Sequence, residues 1–240
     1  MLQCKGCDFR TSIKSCTVMV NSNLSLRKWL MAITFISATK QSFSALELQR
    51  QMGFSRYQTV FDLYHKIRVI MGKRNDEYSL ENMVEYDKGF VTKVTDAQQK
   101  SDPSRRPGSH QKAIPAVMAE STVREDFKTG GLTKNCSYFK MKKIENLKAT
   151  TAEKLIINLL DKDIVLQTDE STTYSKFEDF IDVHVKEISG TKESKFNLKW
   201  AHMAISNFKS DLRKYRMVSE GKLQNYLDEF CYKLNREYFW

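Results

Sequence analysis

Two short apolar runs lie far apart in the chain, and each ends in an aspartate: Met83-Val84-Glu85-Tyr86-Asp87-Lys88 and Ile164-Val165-Leu166-Gln167-Thr168-Asp169-Glu170. Runs of this length read as strands buried in a sheet, and a carboxylate at the end of one stands where the sheet meets solvent. A third segment, Trp200-Ala201-His202-Met203-Ala204-Ile205-Ser206-Asn207-Phe208-Lys209, reads as a helix. Two such strands and one helix can converge three ligands on a divalent cation, because hard cations of this kind take oxygen donors. Aspartate also commonly does no more than end a strand, and the two runs by themselves leave both readings open. Glu85 and Glu170 flank the aspartates and are set aside as ligands, since strand alternation turns an immediate neighbour to the opposite face.

Charge narrows the partners. With 39 Lys plus Arg against 29 Asp plus Glu, the 240-residue chain carries +10 and a pI near 9.3, so an acidic polymer such as nucleic acid is the first candidate. The longest apolar stretch, Trp29 to Ala38, is interrupted by Thr34 and Ser37 and falls short of the ~18 residues a membrane span needs. The first residues contain no signal-peptide core. Five cysteines without an export signal predict reduced thiols and a cytoplasmic or nucleoid location.

Cys4 and Cys7 form a Cys-x-x-Cys pair that reads as one knuckle of a zinc ribbon, although a structural zinc takes four ligands and no second such pair occurs. The expectation is a partial ribbon over 1–20, its other half lost by truncation, with zinc bound only in a longer form. Cys16, Cys136 and Cys231 read as small buried hydrophobes.

From 21 to 80 the pattern is helical. Ser44 predicts a helix cap with Glu47 completing a capping box, Gly53 a left-handed turn, and Ser55 the cap of a second helix bearing Tyr57, Val60, Phe61, Tyr64 and Ile67. Helix, glycine turn and helix is the helix-turn-helix arrangement, equally an ordinary helical hairpin. As a DNA reader it would present Arg56, Gln58 and Thr59 to bases and Lys66 and Arg68 to phosphates.

The segment 92–112 is polar, basic and holds two of the three prolines, which predicts a flexible loop. Strands follow at Ala113–Val123 and Tyr138–Ile144, then a helix at Thr151–Leu160 capped by Thr150 or Thr151. After the Asp169 strand come a short helix near Tyr174–Phe180, a strand at Val183–Ile188 and C-terminal helices. The expected fold is therefore α/β, a mixed sheet flanked by helices over 81–240, behind a small all-α region.

Together these residues resemble the insertion-sequence transposases of DDE type, in which a zinc ribbon and a helix-turn-helix precede a ribonuclease-H-like catalytic domain. The resemblance spans nearly the whole chain. It is carried by Leu26-Arg27-Lys28-Trp29, Ser44-Ala45-Leu46-Glu47-Leu48-Gln49-Arg50, His65-Lys66-Ile67-Arg68, Val84-Glu85-Tyr86-Asp87 and Thr168-Asp169-Glu170. It continues through His202, Ile205-Ser206-Asn207-Phe208-Lys209 and Leu223-Gln224-Asn225-Tyr226-Leu227-Asp228-Glu229-Phe230. It implies a Mg²⁺- or Mn²⁺-dependent enzyme that binds the terminal inverted repeats and target DNA of a bacterial or archaeal mobile element. Such an enzyme cuts and joins strands by two-metal phosphoryl transfer, as a homo-oligomer on DNA. In the branch this chain is most similar to, the third catalytic residue is asparagine, so Asp87, Asp169 and Asn207 are the implied metal ligands. His202 would orient a ligand or phosphate, and Lys209 and Arg213 would hold the DNA backbone. Departures from the family pattern are Lys88 after Asp87, Val91-Thr92-Lys93-Val94 in place of a glycine-rich stretch, and Lys214–Ser219 without the usual glycine and histidines. Two alternatives follow from them: a catalytically inactive DNA-binding relic or regulator, and a nuclease of the same fold that does not transpose.

Overall fold

The structure, a computed structural model, describes residues 2–91, 94–95, 113–127, 130–145, 148–160, 163–169, 181, 183–188, 191–215 and 217–238. The chain divides into two compact units, Met1–Ile70 and Met71–Trp240.

The first unit opens with a hairpin, β1 (Leu2–Gln3) against β2 (Arg10–Thr11). It continues with α1 (Leu26–Ala38), α2 (Ala45–Met52) and the start of α3 (Tyr57–Asp76). Trp29, Ala32, Ile36, Leu48, Val60, Leu63 and Tyr64 are buried at the three- and four-residue spacing that makes these helices amphipathic. Ser44 caps α2 by accepting from the Glu47 N–H, but the Glu47 carboxylate turns to Gln51 Nε2 and Arg50, so only half of the expected capping box forms. At the other end Gly53 (φ 62°) carries the left-handed residue of a Schellman turn, with the Phe54 N–H returning to the Gln49 carbonyl. The next helix begins at Tyr57, so Arg56 rather than Ser55 is the residue before it.

α3 runs to Asp76, and its last turns fall in the second unit. There Gly72 lies against α7 (Leu223–Tyr238): a Cβ on Gly72 would stand 2.3 Å from Asp228 Oδ2. Asn75 Nδ2 donates to the Asp228 carbonyl, and Lys142 pairs with Asp76 at 2.6 Å.

A five-stranded sheet forms the centre of the second unit. Its strands are β3 (Met83–Lys88), β5 (Ile114–Glu125), β6 (Leu132–Ile144), β7 (Val165–Asp169) and β8 (Val183–Glu187), in the order β6-β5-β3-β7-β8. The first three run antiparallel, while β3, β7 and β8 are parallel. β6 begins six residues before the expected Tyr138, because the turn at Asp126–Gly131 lets it pair along the full length of β5. One face, bearing Val84, Tyr86, Met118 and Leu166, packs on α4 (Ala149–Leu159). That helix is preceded by Lys148 and has no side-chain cap, so the Thr150 or Thr151 cap does not form. The other face, bearing Val117, Ala119, Phe139 and Met141, is covered by α6 (Lys199–Leu212) and α7, with α5 (Lys192–Asn197) leading into α6. Within the expected loop, Val94–Thr95 form a short strand, β4, paired in parallel with β9 (Val218–Ser219). The rest of 92–112 and the expected short helix at 174–180 lie outside the described residues.

α7 also closes the sheet edge. Asn235 accepts from the Phe139 N–H and donates to its carbonyl, and Gln224 does the same for the Lys143 N–H and the Met141 carbonyl. Two side-chain amides thus stand where another strand would pair, which blocks edge-to-edge association.

Burial raises the Asp228 carboxyl from 3.8 to about 6, against the hydrogen bond from Gln224. The folded chain therefore holds that proton more tightly than the unfolded chain. Its stabilising contribution is complete below the unfolded value and lost as pH rises through about 6, up to roughly 3 kcal/mol. Replacing Asp228 with Asn, which keeps the acceptor for Gln224, should flatten the decline in urea midpoint across this window. An unchanged slope would place the titration elsewhere.

Candidate active site

Strand register brings the two aspartates together. β3 and β7 pair in parallel from Met83↔Val165 to Tyr86↔Thr168, and the next residue on each strand is Asp87 and Asp169. Neighbouring strands lie ~4.8 Å apart and paired positions share a face, so both carboxylates stand side by side at the C-terminal end of the sheet. Asp87 is opposite Val117, whose side chain belongs to the α6 face. Asp87 Oδ1 accepts from the Lys88 N–H at 2.6 Å, and Oδ2 lies 3.4 Å from His202 Nε2. Asp169 Oδ1 is buried without a hydrogen-bond partner among the described residues. Burial pushes the Asp87 carboxyl above its ordinary range; the Lys88 N–H and His202 pull it down, Asp169 pushes it up and Lys209 lowers it.

His202 reaches Asp87 because α6 is fixed from below. Leu198 precedes α6 and offers no side-chain cap. The fully buried Glu85 serves instead: its Oε2 accepts from the N–H groups of Trp200 and Ala201 at 2.8 and 2.9 Å. Lys134 Nζ, equally buried, pairs with Glu85 Oε1 at 2.8 Å and donates to Gln167 Oε1 and to the Asn197 carbonyl. Trp200 Nε1 closes the network on the Lys134 carbonyl. Glu85 stands two residues before Asp87, hence on the same face of β3, which corrects its exclusion as an off-face neighbour. Its role is to anchor the helix. The Met83-x-Glu85-x-Asp87 alternation was the available signal for Glu85; nothing in the sequence singles out Lys134.

Asn207 is not brought to the aspartates. It lies ~140° around α6 from His202, is exposed, and donates through Nδ2 to Met203 Sδ. Lys209, ~20° from His202 by the same geometry, is close enough to lower the Asp87 carboxyl, and Arg213 follows on that flank, exposed. Glu170 lies outside the described residues.

In the first unit Arg56, Gln58 and Lys66 are exposed, Gln58 being bonded to Asp62, and Thr59 is partly covered. Arg68 is buried, its guanidinium 4.0 Å over the Tyr64 ring, so packing rather than phosphate contact is its role. Cys4 and Cys7 sit exposed on the turn of the β1–β2 hairpin. The Cys4 thiol is lowered by hydrogen bonds from the Gly6 and Cys7 backbone and from the Cys7 side chain. Cys16 is exposed, contrary to expectation, while Cys231 is buried. Among the described residues no group of three or more His, Cys, Asp or Glu is placed to hold a metal, and no helix is long and apolar enough to cross a membrane. Two adjacent carboxylates, one with an unsatisfied oxygen, still fit Mg²⁺, which keeps several waters and needs only one or two protein carboxylates beside substrate phosphates.

A five-stranded β6-β5-β3-β7-β8 sheet in which only β5 runs opposite to the other strands, with helices on both faces and an aspartate at the ends of the adjacent β3 and β7, defines a ribonuclease-H-like core. The family pattern of the ISXO2-like transposase domain matches residues 79–235, well over half of the chain, and the chain belongs to that family of DNA transposases. No curated protein matches in sequence. Among solved structures, the chain is similar to the Mos1 transposase paired-end complex with the left transposon end (14% identity, TM-score 0.39, 88% of this chain and 74% of that one). It is also similar to the catalytic core of BIV integrase (14%, 0.37, 61% and 80%).

If Glu85 and Lys134 anchor α6, Lys134→Met should leave a buried, unpaired carboxylate and lower stability by roughly 3–5 kcal/mol. The pair Glu85→Gln with Lys134→Met should recover part of that loss. Urea unfolding measures both, and a single variant indistinguishable from wild type would overturn the anchoring role.

Proposed function

We propose that this transposase cuts and joins DNA at the terminal inverted repeats of its mobile element, with Asp87 and Asp169 as the metal-binding pair and His202, rather than Asn207, as the third member. The observation that carries this reading is the placement of both carboxylates one step beyond Tyr86↔Thr168, on the face covered by α6. Bound Mg²⁺ or Mn²⁺ would supply Lewis-acid activation of the attacking oxygen and charge stabilisation for the leaving one. The protein's own share is positional. The Lys88 N–H fixes one Asp87 oxygen, and His202 Nε2 restrains the other. Asp169 Oδ1, which has no donor among the described residues, would take a cation. Lys209 and Arg213 lie on the flank of α6 that His202 shares and would hold the phosphates beside the cut.

DNA would be read by Arg56, Gln58 and Thr59 at the start of α3, with Lys66 on the backbone. The enzyme would act as a homo-oligomer on paired ends, in the cytoplasm of a bacterium or archaeon.

Manganese-dependent nicking and strand transfer on repeat-bearing DNA provides the test. Asp87→Ala and Asp169→Ala should abolish both reactions and weaken Mn²⁺ binding, read by electron paramagnetic resonance, while leaving DNA affinity nearly unchanged. His202→Ala should slow nicking by roughly 10–100-fold, as removal of a group that orients a metal ligand does, and Asn207→Ala should be close to wild type. The reverse ranking of these two would restore Asn207 as the third ligand. Lys66→Ala should reduce the salt dependence of binding by about one phosphate contact.

A further inference from the structure

At the outer edge of the sheet, away from the aspartates, a cavity of about 790 Å³ opens between the end of α3, β6 and the last turns of α7. Arg74, Asn75, Tyr78, Tyr138, Tyr232 and Arg236 line it. The polar groups of several of these are occupied within the protein. The Tyr138 hydroxyl donates to Asn75 Oδ1, the Tyr78 hydroxyl to Glu120, and Asn75 Nδ2 to the Asp228 carbonyl. Tyr78 and Tyr138 are stacked with ring centroids 4.3 Å apart, and the Arg74 guanidinium lies 5.5 Å over the Tyr232 ring. A ligand entering here meets aromatic ring surface rimmed by two arginines, with Glu77 as a rim acceptor.

We infer that this cavity is a second DNA site, which takes unpaired nucleotides: bases stack on the partly exposed rings of Tyr78 and Tyr232, the former backed by Tyr138, the arginines face phosphates, and Glu77 can accept from an exocyclic amine. Flat ring surface together with guanidinium is the chemistry of single-strand recognition, since every base has a π-face and every linkage a charge. Paired bases keep their faces inside the stack and cannot use it. The volume suits one or two nucleotides. The site is separate from the cut. Tyr138 is opposite Glu120, which is opposite Val84, two strands across and three residues along from Asp87, so roughly 14 Å of sheet lies between them. The inference rests on the proposed action on DNA, because it takes DNA rather than an acidic peptide as the ligand.

The test is binding of the full chain to a fluorescein-labelled thymidine oligomer of about eight nucleotides, within the usual single-strand site size, beside a repeat-bearing duplex. Tyr232→Leu, Arg74→Ala and Arg236→Ala should each lower single-strand affinity by about tenfold, the scale of one stacked base. Duplex affinity and manganese-dependent nicking should be retained. Because Tyr232 is partly buried, its melting temperature is measured as well, and the exposed Arg236 supports the same comparison without that risk. Unchanged single-strand affinity in both arginine variants would overturn the site. So would displacement of the oligomer by poly-glutamate with no effect of Tyr232→Leu, which would assign the arginines to an acidic protein. Wild-type chain that binds the oligomer through Tyr232 but neither binds nor nicks repeat DNA would leave this site standing while the proposed function fails.

Discussion

The buried pair of Glu85 and Lys134 is the contact on which the geometry of the candidate site depends. Both side chains are withdrawn from solvent, and burial pushes each toward its neutral form: Glu85 upward, against the pull of Lys134, and Lys134 downward, against the pull of Glu85. A pair of this kind adds little net stability compared with a well-packed apolar alternative, but it becomes costly once either partner is removed. Its value here is directional. The Glu85 carboxylate is the acceptor for two N–H groups at the start of α6, a helix that brings no cap of its own. Lys134 ties the same carboxylate to β7 through Gln167 and to the end of α5 through Asn197. One residue later in α6 comes His202, at Asp87. The rotation of α6 that selects His202 over Asn207 is therefore set at the foot of the helix.

Other contacts of the second unit brace that sheet. Asn235 and Gln224 satisfy the outer edge of β6 as a neighbouring strand would, and Gly72 lets α3 approach α7 closely enough for Asn75 to reach the Asp228 carbonyl. Any larger residue at 72 would meet the Asp228 carboxylate.

Most of the sheet was legible because it depends on local pattern. Met83–Lys88 and Val165–Asp169 are apolar runs of strand length, and each ends where the structure ends it. Register was not legible, since it depends on which strands pair; only the parallel pairing of β3 with β7 turns two separate aspartates into one site. β6 was read six residues short because Leu132–Ser137 alternates weakly and becomes a strand through its partner β5. Asn207 was favoured by resemblance, but helical phase decides which side chain meets Asp87, and that phase is fixed by a glutamate and a lysine 49 positions apart in sequence. Arg68 read as a surface cation because its helix face is mixed; Tyr64, one turn earlier, covers it.

Lys88, the departure that speaks most directly against catalysis, has a different meaning in three dimensions. As the residue after Asp87 it alternates to the opposite face of β3, paired with Ala116 on the α4 side, while Asp87 pairs with Val117 on the α6 side. What Lys88 places at the carboxylate is its backbone N–H, a neutral donor at 2.6 Å. Its ammonium still feels both aspartates, which raise its affinity for a proton against the effect of burial. Two like charges on adjacent strands repel, and a cation behind the sheet moderates that repulsion without occupying the space in front of it. A lysine at this position is thus compatible with a metal on the α6 face. An acid in its place would add a third negative charge beside an Asp87 carboxyl that burial, and to a lesser degree Asp169, already pushes above its ordinary range.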